Sequence, residues 1–213
     1  MNAQLISAES LKRICWKTGA PAAKEIVPVI NKICPLYGMS TLILHEFLAN
    51  VLHESNEFSR YEENLNYSAN RLMAVWPFRF KTIKSALPYA NNPQLLAAKV
   101  YNGRMGNTAP LDGWEFRGSG PIQMTGKDNF TRFASWMDRK FNITRSEQEW
   151  ARLIRTDHEA GMHSACWIFS IAKGLNDEAA RNEMELIIQR INGGYNGLMD
   201  RLRYYELCKE FLV

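Results

Sequence analysis

Leu44-His45-Glu46-Phe47-Leu48-Ala49-Asn50-Val51-Leu52-His53-Glu54 is the stretch on which the reading of this chain turns. Leu44, Phe47, Leu48, Val51 and Leu52 stand at i, i+3, i+4, i+7 and i+8, the spacing that gathers apolar side chains on one face of an α-helix. Ser40 precedes them as a candidate N-cap, so the pattern predicts a helix of about four turns that closes at Glu54. At about 100° per residue, Glu54 falls about 20° from Phe47 and about 60° from Val51, on the edge of the apolar stripe, whereas Glu46 and His53 point away from it. A carboxyl group there is half-buried and sits at the helix end whose dipole disfavours an anion, and both effects favour its neutral form. That suits a general acid, although a solvated Glu at a helix C-terminus has the same spacing.

Working outward, Glu54 is followed by Ser55-Asn56-Glu57-Phe58 and then by Glu62-Glu63-Asn64-Leu65-Asn66-Tyr67-Ser68-Ala69. Several carboxylates therefore cluster where an apolar helix gives way to a polar loop, and paired carboxylates are what acid/base chemistry on a sugar requires. From spacing alone, Glu57, Glu62 and Glu63 are nearly equal candidates for the second carboxylate.

The remainder of the chain reads as mainly α. Residues 5–34 predict two short helices split by Gly19-Ala20-Pro21. Residues 55–90 are loop-rich with a short helix at 69–75, and further helices are predicted at 94–100, 147–154, 159–171, 177–191 and 198–211. Glycines 103, 106, 113, 118 and 120 mark a turn-rich segment with room for a short hairpin at most. At 213 residues and 46% apolar composition, with no linker, internal repeat or composition shift, the chain is expected to form one domain over 1–213. Its apolar runs fall far short of a membrane span, and Met1-Asn2-Ala3-Gln4-Leu5-Ile6 lacks the basic and apolar regions of a signal peptide. No stable membrane insertion is expected, and the protein is expected to fold in a cytoplasm.

Several motifs, in order, carry a resemblance. They are His53-Glu54-Ser55 with Glu63-Asn64-Leu65-Asn66-Tyr67-Ser68-Ala69, Pro77-Phe78-Arg79-Phe80, Tyr101-Asn102-Gly103-Arg104-Met105-Gly106-Asn107, and Phe116-Arg117-Gly118-Ser119-Gly120-Pro121-Ile122-Gln123-Met124-Thr125-Gly126. Together they resemble glycoside hydrolase family 19, and more narrowly its phage endolysin branch. The match runs from about residue 40 to 211, with 1–39 as an N-terminal helical part of the same catalytic domain and no separate wall-binding module. The resemblance implies a single-domain, chitinase-like and lysozyme-like helical fold with a substrate cleft and at most a small β-hairpin. It implies Glu54 as general acid, Glu63 as general base and Thr125 as the hydroxyl that helps hold the attacking water. It places Gln123, Asn129, Asn192 and Arg201 among the substrate-binding positions. Each has a structural alternative: Thr125 as a turn residue before Gly126, Asn192-Gly193-Gly194 as a helix stop, Arg201 as a salt-bridge partner. Aromatic residues of the same stretch, Tyr67, Trp76, Tyr101, Trp114 and Phe116, are candidates to stack on sugar rings.

The chain departs from the plant members in two ways. Those carry disulfides, whereas Cys15, Cys34, Cys166 and Cys208 sit among apolar residues at helical spacing, as buried free thiols do. Tyr195 also follows Asn-Gly-Gly where plant members have a different polar run, which leaves the sugar preference of that subsite open.

Other chemistries find little support. His45 and His53 lie about 80° apart and two turns from each other, and His158 and His163 are at i, i+5, so neither pair has the i, i+4 geometry of a helical zinc site. There is no Gly-x-Ser-x-Gly, no Cys-His arrangement and no complete nucleotide fingerprint around Gly118-x-Gly120, which reads as a turn that lets backbone approach a sugar. No metal or cofactor is expected. A net charge of +4 with a pI near 8.9 suits an anionic polymer, with Lys81, Lys84, Arg190, Arg201, Arg203 and Lys209 as candidate contributors, while the absence of a basic run with interleaved aromatics argues against nucleic acid. The expectation is an endolysin that cleaves the glycan strands of bacterial peptidoglycan by inversion, as a monomer. It would wait in the host cytoplasm and act on the periplasmic wall after a separate protein opens the membrane. A chitinase and a catalytically silent glycan-binding relative are the alternatives.

Overall fold

A computed structural model describes residues 4–212 of the chain. In chain order the helices are α1 (Ala8–Ile14), α2 (Ala23–Ile33), α3 (Thr41–Glu54), α4 (Ala69–Val75), α5 (Ile83–Ala86), α6 (Pro93–Tyr101) and α7 (Asp112–Glu115). They continue with α8 (Lys127–Phe141), α9 (Glu147–Thr156), α10 (His158–Cys166), α11 (Asn176–Ala180), α12 (Met184–Asn192) and α13 (Leu198–Phe211). A 3-10 turn follows α2 and another follows α5, and Trp167–Ala172 continues α10 as a π-helical turn. No strand forms among the described residues, and Ser119 and Met124 make an isolated antiparallel bridge where a short hairpin was allowed. The mainly α class is thus the observed one.

Several of the element readings need correction, and the short helices α5 and α7 fall in segments read as loop-rich and turn-rich. Helix α8, the fifteen residues Lys127–Phe141, is absent from the sequence reading, although its buried positions Phe130, Phe133 and Met137 stand at i, i+3 and i+7 with charged residues on the opposite face, the pattern of an amphipathic helix. The single helix expected over 177–191 is two, broken where Asn182 takes a left-handed φ of +58° between Ala180 and Met184.

By its contacts the chain divides into two compact units. The first comprises Met1–Tyr61, Ser119–Met124 and Arg152–Val213. In it α3 is covered by α13, α11 and α12, α2 packs on α10, and α1 lies against α13. Helix α3 starts at Ser40, whose backbone is extended as a cap requires but whose side chain makes no capping bond. Leu44, Phe47, Leu48, Val51 and Leu52 are all fully buried, with Phe47 edge-on to Phe169 at 5.4 Å. Glu46 and Asn50 are fully buried too. Glu46 does point away from the apolar stripe, but that side of the helix is covered by other helices rather than by water. Cys15, Cys34, Cys166 and Cys208 are buried free thiols, as expected.

The second unit comprises Glu62–Gly118 and Thr125–Ala151. Leu65, Leu72, Phe80, Ala86, Leu96, Ala97 and Val100 form its core, with Tyr67, Trp76, Tyr101 and Trp114 packed around them. Phe116 against Phe130 (5.2 Å) and Phe133 against Trp150 (5.1 Å) anchor α8.

Candidate active site

In the first unit, α3 delivers Glu54 at its last turn with a side chain 23% exposed. The residue is not left to an apolar surface: Nη2 of Arg201, on α13, donates to its carboxylate. Arg201 is buried, and its other donors also meet protein groups. Nη1 donates to Asn50 Oδ1 (2.8 Å), Nη2 to Asn192 Oδ1 (3.2 Å) and Nε to the Asn196 carbonyl (3.4 Å). Asn50 is held in turn by its amide, which donates to the Glu46 carbonyl one turn earlier (2.8 Å), and Asn192 by donation to the Asn196 carbonyl (3.1 Å). A planar guanidinium with several fixed partners fixes the rotamer of Glu54 more tightly than a flexible ammonium does.

A second pairing runs alongside. His53 Nδ1 lies 2.6 Å from Asp200 Oδ2, and Lys17 Nζ lies 2.7 Å from the same oxygen. Burial works against the Asp200 charge, but the hydrogen bonds from Lys17 and His53 outweigh it and hold the carboxyl below its usual range. Consecutive residues of α3, His53 and Glu54, thus meet consecutive residues of α13, Asp200 and Arg201. The close approach requires Gly197: a Cβ there would lie 2.3 Å from the His53 ring.

Beyond Glu54 the backbone is unusual. Asn56, Glu57 and Phe58 have φ of +47°, +57° and +63°, three consecutive non-glycine residues in the left-handed region. Glu57 pins them. Its buried carboxylate accepts from the backbone N–H of Lys17 (3.0 Å) and Thr18 (2.6 Å) and from the Tyr204 hydroxyl (2.7 Å). Burial and the Glu57 charge both raise the Tyr204 pKa, so the phenol stays a donor. In the same unit Gln123 is half-buried, with φ +52° and its amide donating to the Gly120 carbonyl (3.0 Å).

In the second unit, Glu63 is held by two neutral donors. The Tyr101 hydroxyl donates to Oε1 (2.7 Å) and the Gly118 N–H to Oε2 (3.1 Å), while the Glu63 N–H donates to the Gly118 carbonyl (2.9 Å). Burial and the neighbouring carboxylate push the Tyr101 pKa well up, which keeps that donor protonated. Glu62 turns instead to Arg117, whose guanidinium lies 3.6 Å from the centre of the Trp114 ring. Thr125 is half-buried, and its carbonyl accepts from the Asn129 amide (2.8 Å), which ties the start of α8. Tyr67 is edge-on to Trp76 at 5.4 Å and half-buried. Phe116 is wholly buried against Phe130, so it is core and not a stacking platform.

The structure therefore brings Glu54, Asn192 and Arg201 together in one unit, and Glu63 with Tyr101 in the other. Asn50 and the Gly118 N–H were missed. Asn50 had a signal, a polar residue inside an apolar helix one turn before Glu54 and about 40° from it; a backbone N–H has none. Among the described residues no three His, Cys, Asp or Glu side chains group as a metal site, and the four histidines each meet a different partner.

No protein-family model matches the chain. A protein of Haemophilus influenzae described as a glycosyl hydrolase family 19 domain-containing protein is 34% identical over 162 residues, covering 75% of each sequence. Chitinase C from Streptomyces griseus HUT6037 superposes with a TM-score of 0.60 at 14% identity, over 100% of this chain and 94% of that one. A mutant of chitinase C gives the same TM-score, 0.60, over 99% and 94%. The helical, chitinase-like fold expected from the sequence is the fold these structures share.

Proposed function

The chain belongs to glycosyl hydrolase family 19 and is a glycoside hydrolase, and from that premise we propose a lysozyme-type endolysin that cleaves the β-1,4 bond between N-acetylmuramic acid and N-acetylglucosamine. Glu54 protonates the leaving oxygen, Glu63 takes a proton from water, and the Thr125 hydroxyl orients that water. Arg201 and Asn192 act through Glu54 and its surroundings, while Gln123, Asn129, Tyr67 and Tyr101 meet the sugar. The mechanism is inverting, which requires about 6.5 to 9.5 Å between the carboxyl groups.

The observation that carries the reading is how Glu63 is held. Each oxygen accepts from a neutral donor and, among the described residues, no cation pairs with it. Two neutral donors orient the carboxylate without placing a cation against it, as an acceptor of a proton from water requires. Glu57 is sequestered among three donors and Glu62 is ion-paired, which leaves Glu63 as the best base of the three. The positive net charge favours peptidoglycan, whose stem-peptide carboxylates chitin lacks. In this reading the protein reaches the periplasmic wall from the host cytoplasm after a separate protein opens the membrane.

Parallel digestion of purified peptidoglycan and chitin, with mass analysis of products, tests the substrate. The expected new reducing end is muramic acid, released first as the α-anomer by NMR. Glu54→Gln and Glu63→Gln should each lower turnover by orders of magnitude with little change in fold. Glucosamine at the new end would overturn the assigned bond, and much faster turnover of chitin oligomers than of peptidoglycan would favour the second reading, a chitinase, to which the likeness to chitinase C points.

A further inference from the structure

Residues 64–111 contain no aspartate or glutamate, yet carry Arg71, Arg79, Lys81, Lys84, Lys99 and Arg104. The first four lie on α4, on α5 and on the loop that joins them. All four are exposed, and among the described residues none is in an ion pair. The same segment turns large apolar side chains outward: Phe78 is 92% exposed, Leu87 59%, Ile83 42% and Val75 36%. Leu72, Phe80 and Ala86 of these elements already fill the core, so these four have no partner to bury them inside. Phe78 sits in a tight turn in which the N–H groups of Arg79 and Phe80 both donate to the Trp76 carbonyl (2.9 Å), which holds its ring outward.

We propose that the face formed by α4, α5 and their connecting loop docks on a bilayer surface that carries anionic lipid. Cations attract anionic headgroups, and an aromatic tip flanked by aliphatic side chains enters the boundary between headgroups and acyl chains. The aliphatic character of Val75, Ile83 and Leu87 selects lipid over a glycan polymer, which is met by flat rings and polar forks. Among the described residues no single helix is long and apolar enough to cross a membrane, so the association is peripheral. Its role is to hold a wall hydrolase at the membrane that borders its substrate.

Co-sedimentation with vesicles of phosphatidylcholine alone, and of phosphatidylcholine mixed with phosphatidylglycerol, tests the proposal. The protein should bind only the mixed vesicles and be released by salt. Lys81→Gln/Lys84→Gln should weaken binding by about thirtyfold, the effect of two cations removed from an anionic surface. Phe78→Ser should weaken it by about tenfold or more while leaving the melting temperature and the hydrolysis of soluble wall fragments unchanged. No binding, equal binding to both vesicles, or binding indifferent to these substitutions would overturn the proposal. So would capture by purified peptidoglycan that the same substitutions abolish while vesicle binding persists, which would assign the face to an anionic polymer instead.

Discussion

Glu57 carries its carboxylate into the protein interior, where two backbone N–H groups and one phenol satisfy it. By composition it looks as fit for catalysis as Glu63, six residues further along the chain. Its partners decide otherwise, since an acceptor already met by three donors is a structural clamp. Glu57→Gln preserves the shape but turns an NH2 group toward donors, so stability should fall by about 2 to 4 kcal/mol. Urea denaturation checks this. Glu62→Gln, which alters a half-exposed ion pair, should shift the same curve by about 1 kcal/mol or less. Equal effects from the two substitutions would show that the turn after Glu54 does not depend on its clamp. The legibility of these positions was uneven for the same reason: the residue type was visible in the sequence, while the donors around it were not.

At the scale of elements, α3 and α8 were both legible in principle, since the burial of each follows helical spacing; α3 shows five apolar positions and α8 only three, at i, i+3 and i+7. Its end is more informative than its middle. Asn142 closes α8 with φ +55° and ψ +41°, its N–H donating to the Asp138 carbonyl (2.9 Å). Asn tolerates this left-handed geometry, glycine tolerates it fully, and a β-carbon without a polar side chain makes it unfavourable. Asn142→Gly should therefore leave stability within a few tenths of a kcal/mol, and Asn142→Ala should lower it by about 1 kcal/mol. Thermal melts of the three proteins decide the matter, and identical melting for Asn142→Ala would mean that α8 ends without help from this cap. The same left-handed signal, at Asn182, explains the split between α11 and α12.

For the whole molecule, two buried groups set opposing dependences on pH. Glu46 is fully buried, and burial pushes its pKa from 4.5 up to about 7 against the opposing effects of the Tyr205 hydroxyl and Lys209. The unfolded chain therefore loses that proton more readily than the folded one, so stability present below pH 4.5 is lost as pH rises through about 7. Burial of His163 lowers its pKa from 6.5 to about 4, so the folded state resists protonation and stability is lost as pH falls from 6.5 toward 4. Between these limits the two slopes largely cancel. Glu46→Gln should stabilise the protein at pH 8 by up to about 3 kcal/mol, with little effect near pH 4.5. It should also expose the His163 slope on the acid side. Denaturation at a series of pH values would refute this if the variant and the parent kept a constant difference.

The helical class, the end of α3 at Glu54, the free thiols and the family motifs follow from the sequence by itself, because each rests on the spacing of neighbours within a few residues. The roles of the carboxylates do not. Glu54 meets Arg201 across 147 positions of chain, and Glu57 meets Tyr204 across 147. Glu63 meets Tyr101 across 38. Glu46 is buried although periodicity assigns its side of α3 to water, because α13 brings Tyr205 and Cys208 against it. Local spacing determines which face of a helix is apolar, and only tertiary packing decides which charge on it finds a neutral donor, a cation or burial.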